Sequence, residues 1–230
     1  MLTMWGPDPE SVPPPPTAAE EAAFEAARTR MVRDQIAARG IKDDRVLQAM
    51  ARVPRHEFVP ASQRPRAYED GPLPIGHGQT ISQPYIVAFM TAALDPKPTD
   101  RVLEVGTGSG YQAAVLSRLV AEVYSIEIVE PLARRAEADL KRLGFLNVKV
   151  RMGDGTLGWP GAAPFDAVIV TCAPERVPRA LVDQLKVGGR MIVPVGPTGG
   201  VQELYLLRKQ PSGMETQAVL SVRFVPMVTH

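Results

Sequence analysis

The chain has 230 residues, enough for one sizeable folded domain with a small extension. Its composition is that of a globular protein, with 45% hydrophobic and 22% charged residues. The 26 Lys and Arg residues against 25 Asp and Glu residues leave a formal net charge of +1, which gives no global argument for a nucleic-acid partner. No apolar run reaches the roughly 18 residues of a membrane span, and the N-terminus lacks the pattern of a secretory signal.

The single cysteine, Cys172, excludes an internal disulfide bond and fits a reducing compartment. We therefore expect a cytoplasmic protein. We also expect a monomer without a metal site, and without a nucleic-acid or membrane partner.

The first 98 residues predict a tail, a helical extension and a long loop. Residues 1–17 are rich in proline and predict a flexible tail. Apolar residues at helical spacing predict three helices, at residues 18–39, 43–53 and 84–94. Residues 55–83 between them contain many prolines and glycines and predict an irregular loop; a loop of this length is usually functional or disordered.

From residue 99 onward, short apolar runs alternate with helical patterns. Strands are predicted at residues 102–105, 122–126, 148–152, 167–171 and 190–195. Helices follow the first strand and are also predicted at residues 131–143 and 178–185, with a turn at Gly188-Gly189. This alternation predicts a parallel sheet covered by helices on both faces.

The C-terminal part changes character. Residues 202–209 and 218–225 are strand-like and flank a Pro211-Ser212-Gly213 turn, which predicts an antiparallel hairpin at the sheet edge. The expected fold class is therefore α/β, with a doubly wound, mostly parallel seven-stranded sheet and an N-terminal helical extension. Residues 18–98 carry the helices and the active-site loop, and residues 99–230 form the core of a single catalytic domain.

A glycine turn after the first core strand predicts a nucleotide-like ligand. Gly106, Gly108 and Gly110 alternate along RVLEVGTGSG, and a helical pattern follows. Glycines let the backbone approach a ligand closely, and the next helix presents free N–H groups. A dinucleotide fingerprint has its third glycine at the position that Tyr111 occupies here. The acidic Glu104 before the turn is common in enzymes that use S-adenosylmethionine.

Two further carboxylates end the next two strands. Glu127 lies 17 residues after Gly110, where a carboxylate can accept hydrogen bonds from both ribose hydroxyls, and Asp154 ends the third strand. Each alone is more typical of a helix cap or a turn, but their order at successive strand ends favours a cofactor site. The predicted cofactor is S-adenosylmethionine, and its predicted binding residues are Glu104, Gly106, Thr107, Gly108, Gly110, Glu127, Ile128, Asp154 and Gly155.

Several longer segments resemble one family of such enzymes. PLPIGHGQTISQPYIVA at residues 72–88 and EVGTGSGYQAAVL after it are similar to the signature of protein-L-isoaspartate O-methyltransferases. FDAVIVTCAPERVP, GGRMIVPVG and the closing VRFVPMV also resemble that family, so the similarity covers roughly residues 25–228. The resemblance implies methyl transfer from S-adenosylmethionine to the α-carboxylate of L-isoaspartyl residues in damaged proteins and peptides. The methyl ester then closes to a succinimide, which opens partly to normal aspartate.

The residues fit that chemistry. A carboxylic acid with a pKa near ~4 is ionised at neutral pH, so this acceptor needs no general base. The resemblance implies that Ser82 is the catalytic hydroxyl beside the carboxylate, with Gln79, Thr80, Ile81 and Val225 also contacting substrate. Ser82 has a second interpretation as the N-cap of the helix that begins at Pro84.

Two other functions share these features. A methyltransferase of the same fold acting on a small molecule or RNA would use the same cofactor site, but predicts a basic face or an amine-positioning motif where this chain has TCAPERVP. A cofactor-binding adaptor without catalysis is the second alternative, and the intact set of candidate residues disfavours it.

Overall fold

The structure is a computed structural model, and it describes residues 16–229. The predicted tail, residues 1–17, lies almost wholly outside the described residues. Helices of the described part are α1 Ala18–Arg30, α2 Asp44–Arg52, α3 Pro84–Leu94, α4 Tyr111–Ser117, α5 Glu130–Arg142 and α6 Arg179–Asp183. No helix in residues 16–229 combines the length and apolarity that crossing a membrane requires.

The strands form two sheets. A small antiparallel hairpin consists of β1 Leu73–Gly76 and β2 Gln79–Ile81. The main sheet consists of β3 Arg101–Val105, β4 Glu122–Glu127, β5 Val148–Met152, β6 Phe165–Val170, β7 Leu185–Val195, β8 Gln202–Gln210 and β9 Gly213–Val222. Its order is β5-β4-β3-β6-β7-β8-β9, with β3 to β7 parallel and β8 and β9 antiparallel. The predicted seven-stranded α/β fold is confirmed.

Two apolar cores lie on the two faces of the main sheet, and successive side chains of a central strand belong to different cores. Val102 and Ile169 pack with α2, α3 and α4 on one face, whereas Leu103 and Val168 pack with α6 on the other. Successive side chains of a strand point to opposite faces, so a strand buried on both sides reads as a continuous apolar run. This explains why the sequence pattern of the central strands is apolar without alternation.

The N-terminal extension begins with a capping box in which Thr17 and Glu20 bond each other's backbone. None of the residues of α1 is buried. The chain continues as a π-helical turn, Met31–Ile36, and a short 3₁₀ turn, and stops at Gly40 with φ +97°. The predicted helix over residues 18–39 is thus helical throughout, but its hydrogen-bond pattern changes where Met31 and Ile36 enter the core.

Three secondary-structure predictions are wrong: the loop at residues 55–83, the turn at Gly188-Gly189 and the end of the last strand. Residues 55–83 contain two 3₁₀ turns and the β1–β2 hairpin, because alternate residues Leu73 and Ile75 are buried and anchor this segment as a strand. The Gly188-Gly189 turn lies inside β7, where a bulge between two pairing registers absorbs it. The last strand ends at Val222.

The segment after β9 leaves the sheet for a specific reason. The backbone N–H of Phe224 donates to the Gln202 side chain, and the carbonyl of Val225 accepts from Ala173 N at 2.8 Å. Met227 N returns a bond to the Ala173 carbonyl at 2.9 Å. These bonds direct residues 224–227 to the carboxyl end of β6, beside the glycine turn.

Candidate active site

A cleft opens at the carboxyl ends of β3, β4 and β6. In open α/β sheets this edge is where ligands bind. The predicted residues that line it are Gln79, Thr80, Ile81, Ser82, Gly106, Thr107, Gly108, Glu127, Ile128, Gly155 and Val225. Three of the predicted cofactor residues, Glu104, Gly110 and Asp154, do not line it.

The glycine turn forms the floor of the cleft. The backbone N–H groups of Gly106 and Thr107 both donate to the carbonyl of Ile126, at 2.8 and 3.2 Å, and tie the turn to β4. Gly106 has φ +98°, and a Cβ added there would lie 2.5 Å from Thr171 Oγ1. That hydroxyl donates to the Gly106 carbonyl at 2.5 Å. The position therefore accepts only glycine.

Glu127 holds the turn from the second strand. Its two carboxylate oxygens accept from the backbone N–H of Gly108 at 2.7 Å and of Val129 at 2.9 Å. The side chain is nearly buried, 6% exposed, in the cleft wall. Each carboxylate oxygen has two lone pairs, so each can accept one more hydrogen bond from a hydroxyl group of a ligand.

Glu104 lies behind the wall rather than in it. The residue is 0% exposed, and its carboxyl accepts a hydrogen bond from Ser125 Oγ, which also pairs with Thr107 Oγ1 at 2.6 Å. Burial raises the pKa of Glu104 to about 8. The side chain thus connects to the glycine turn through two hydroxyls instead of reaching a ligand directly.

Asp154 and Gly110 also support the site from outside the cleft. The Asp154 carboxylate caps a 3₁₀ turn by accepting from Thr156 N at 2.8 Å. A Cβ on Gly110 would lie 3.3 Å from Leu140, so this glycine lets α4 approach α5. Gly155 is the member of this group that faces the cleft.

Ser82 lies where two clefts meet. A second cleft shares Thr80, Ser82, Thr171 and Val225 with the first. The capping interpretation of Ser82 is wrong, because α3 is capped at Gln83 without a side-chain bond. The hydroxyl of Ser82 is therefore not committed to the helix start.

Residues missed by sequence reasoning complete the walls. They include Val105, Ser109, Tyr111, Gln112, Thr171 and Cys172. Thr171 and Cys172 follow β6, and the rule that ligands bind at the carboxyl ends of parallel strands could have found them. Burial raises the pKa of the Cys172 thiol to about 12, so it is a neutral wall group at neutral pH.

Two histidines lie near this region. His56 is 1% exposed, and its Nδ1 lies 2.8 Å from the Tyr68 hydroxyl. His77 is exposed at the tip of the β1–β2 hairpin with φ +53°. Neither lines either cleft.

The residues present fit S-adenosylmethionine. Glu127 is the single charged side chain among the residues that line the first cleft, and its sign complements a sulfonium cation. The left-handed φ at Gly106 and Gly108 keeps Cβ atoms out of the turn that such a ligand must approach. Sheet order, glycine turn and acidic strand end together define the class of S-adenosylmethionine-dependent methyltransferases.

Comparison with known proteins identifies the family within that class. The model of the protein-L-isoaspartate(D-aspartate) O-methyltransferase family matches residues 26–230, and the chain belongs to this family. It is 54% identical over 226 residues to the protein-L-isoaspartate O-methyltransferase of Synechococcus sp. (strain JA-2-3B'a(2-13)), covering 96% of this chain and 92% of the relative. The corresponding protein of Opitutus terrae is 57% identical over 209 residues, covering 89% and 90%.

Solved structures agree with this assignment. One protein-L-isoaspartate O-methyltransferase matches with a TM-score of 0.78 and 32% identity; the match covers 86% of this chain and 65% of that chain. A crystal structure from Plasmodium falciparum, in complex with S-adenosyl-L-homocysteine, matches with a TM-score of 0.75 and 26% identity over 90% of this chain and 99% of that one. The predicted family and cofactor are confirmed.

Proposed function

We propose that this chain methylates the α-carboxylate of L-isoaspartyl residues in damaged proteins and peptides, with Ser82 as the hydroxyl that holds the reacting carboxylate. The observation that carries the assignment of roles is the position of Ser82 in the wall of both clefts. The first cleft accepts the cofactor, and the second accepts the peptide around the isoaspartyl residue. The Ser82 hydroxyl at their junction can therefore hold the α-carboxylate next to the methyl group of the cofactor.

The residues that line the two clefts have different roles in this proposal. When bound, S-adenosylmethionine supplies an electrophilic methyl group on a sulfonium. Glu127 would accept hydrogen bonds from its ribose hydroxyls, and Gly106 and Gly108 would let the backbone approach it. Ser82 and the neighbouring Gln79 and Thr80 offer hydroxyl and amide groups to an acceptor that is already ionised, so alignment and exclusion of water are the main tasks.

The remaining expectations form part of the same proposal. The peptide cleft has two sides: Thr80 of β2, Ser82 and three more of its lining residues come from residues 18–98, and the other seven, with Val225 among them, come from residues 99–230. Residues 99–230 also supply most of the cofactor side. The partners are isoaspartyl-containing proteins and peptides. We propose a cytoplasmic monomer without a metal, nucleic-acid or membrane partner.

The direct test supplies an isoaspartyl peptide and S-adenosylmethionine labelled in its methyl group. We expect a base-labile methyl ester on the peptide, and none on the matched peptide with normal aspartate. Label on another acceptor would favour a different methyltransferase. Binding of the cofactor with transfer to no acceptor would favour an adaptor.

The role of Glu127 gives a prediction on cofactor affinity. Glu127→Ala should raise the Kd for S-adenosylhomocysteine about 10-fold to 100-fold, because charge-assisted hydrogen bonds are worth about 1.5–3 kcal/mol. Isothermal titration calorimetry measures the change. Glu122→Ala is the matched control, because Glu122 lies at the amino end of β4, whereas Glu127 lies at its carboxyl end beside the cleft. An unchanged Kd in Glu127→Ala would remove this residue from the cofactor site.

A further inference from the structure

A buried arginine lies directly behind Ser82. Arg55 is 0% exposed, and its guanidinium donates to two backbone carbonyls: Nε to Ala67 at 2.8 Å and Nη2 to Ser82 at 2.7 Å. Its Cζ lies 4.9 Å from the centre of the Tyr111 ring. Tyr111 and Ser82 both line the cofactor cleft, so Arg55 contacts the back of the wall without lining either cleft itself.

The charge of this arginine has no counter-ion in the described residues. None of the ion pairs within residues 16–229 includes Arg55, and the adjacent Glu57 pairs instead with Arg142 at 2.8 Å. Burial lowers the pKa of Arg55 to about 10, which leaves it protonated at neutral pH. One of its nitrogens, Nη1, is buried without a hydrogen-bond partner in this part of the chain. An unpaired buried charge is costly, so its presence calls for a compensating anion.

The two carbonyls that Arg55 holds are the ends of one segment. Ala67 and Ser82 bracket the β1–β2 hairpin, which carries the acceptor-side residues. A guanidinium is planar and rigid, so two of its donors fix the separation of the two carbonyls. Arg55 therefore closes the base of this segment and sets the backbone from which the Ser82 side chain extends.

We propose that Arg55 is a positioning residue for the acceptor: it fixes Ser82 through the backbone carbonyl, and its uncompensated charge favours an anionic carboxylate over a neutral group beside Ser82. This inference rests on the proposed function. The four residues that the two clefts share, Thr80, Ser82, Thr171 and Val225, are uncharged. The one charged residue that lines the peptide cleft is Arg223, which is exposed and outside the junction, so its charge is screened by solvent more than that of Arg55. A charge acting across a water-excluded wall is screened far less than one in solvent.

The experiment compares two acceptor peptides on the protein saturated with S-adenosylhomocysteine. One carries an isoaspartyl residue, and the other carries the same residue with its α-carboxylate replaced by the neutral amide. We expect Arg55→Met to lower the preference for the carboxylate peptide by about 10-fold to 100-fold, as expected for the loss of an interaction with a charged group. Both variants are measured at a pH of about 6, where the acceptor carboxylate is ionised and a buried lysine keeps its proton more readily than at neutral pH. There Arg55→Lys should keep more of the preference than Arg55→Met, because it retains a positive charge. Calorimetry gives both dissociation constants.

Two outcomes would overturn the inference. Equal losses of affinity for both peptides in Arg55→Met would mean that the residue only supports the backbone. An equal loss of preference in Arg55→Lys and Arg55→Met would mean that charge is not the cause. Arg190→Met is a control for the loss of an arginine that bonds a backbone carbonyl. Arg190 donates to the carbonyl of Leu94 at 3.1 Å, forms an ion pair with Asp95 at 3.0 Å and lies outside both clefts, so its loss should leave the preference unchanged.

A measurement on the unaltered protein covers the case in which Arg55→Met does not fold. The isoaspartyl α-carboxylate, labelled with ¹³C, is titrated by NMR free and bound. The inference requires a lower pKa for the bound carboxylate; an equal or higher value would contradict it. Failure of the proposed function is distinct, because the unaltered protein would then methylate no isoaspartyl peptide at all.

Discussion

Ser82→Ala should reduce kcat for an isoaspartyl peptide by about 100-fold while changing the Kd for S-adenosylhomocysteine by less than about 3-fold. Removing one well-placed donor at a reacting oxygen typically costs rate on this scale. The hydroxyl makes no capping bond to α3, so its removal does not cost this helix a cap. Steady-state kinetics and calorimetry on the same preparation separate the two effects.

Ser117→Ala is the control for this substitution. The Ser117 hydroxyl is half-buried at the end of α4 and donates to the carbonyl of Ala114 at 2.8 Å, away from both clefts. Its kcat should match that of the unaltered protein. If Ser82→Ala weakened cofactor binding as much as turnover, Ser82 would be a structural residue of the wall and the proposed role would fail.

Gly106→Ala should abolish binding of S-adenosylhomocysteine and lower the free energy of unfolding by about 2–5 kcal/mol. The left-handed backbone costs an alanine about 1–2 kcal/mol, and overpacking adds about 1–3 kcal/mol. The added Cβ would meet Thr171 Oγ1 at 2.5 Å, where the hydroxyl already bonds the turn. Denaturant unfolding and calorimetry measure the two losses.

Gly144→Ala separates backbone strain from steric conflict. Gly144 has φ +80°, similar to the +98° of Gly106, but no atom lies within 4 Å of a Cβ placed there. The free energy of unfolding of this variant should fall by only about 1–2 kcal/mol, and its affinity for S-adenosylhomocysteine should be unchanged. Similar behaviour of the two variants would mean that the contact with Thr171 is unimportant.

Local patterns predicted the sheet because each central strand is buried on both faces. The apolar runs of β3 and β6 could have no other partner than helices on both sides, and the structure has them. The hairpin at Leu73–Ile81 was harder to predict, because its prolines and glycines are typical of loops. Only burial of Leu73, Ile75 and Ile81 against the core makes it a strand pair, and burial depends on tertiary contacts.

In the candidate site too, residues at strand ends could be predicted from the sequence, whereas residues placed by tertiary contacts could not. Gly106 and Glu127 follow from their places at strand ends, and the structure brings both into the cleft. Arg55 could not be predicted as part of the site, since its contacts with Ala67 and Ser82 span 12 and 27 residues of sequence. Glu104 was expected to meet the cofactor, yet it connects to the glycine turn through the hydroxyls of Ser125 and Thr107. Side chains that act through intermediates leave no spacing signal.

The weak anchoring of α1 has a consequence for local opening. This helix has no buried residue, and it is attached through Phe24, stacked 4.1 Å from His56, and Arg28, 3.4 Å from the Tyr68 hydroxyl. Segments with few buried apolar contacts open at free energies far below that of global unfolding. Amide protons of α1 should therefore exchange with solvent much faster than those of β3. The N-terminal helix would then detach and return many times during the lifetime of one folded molecule.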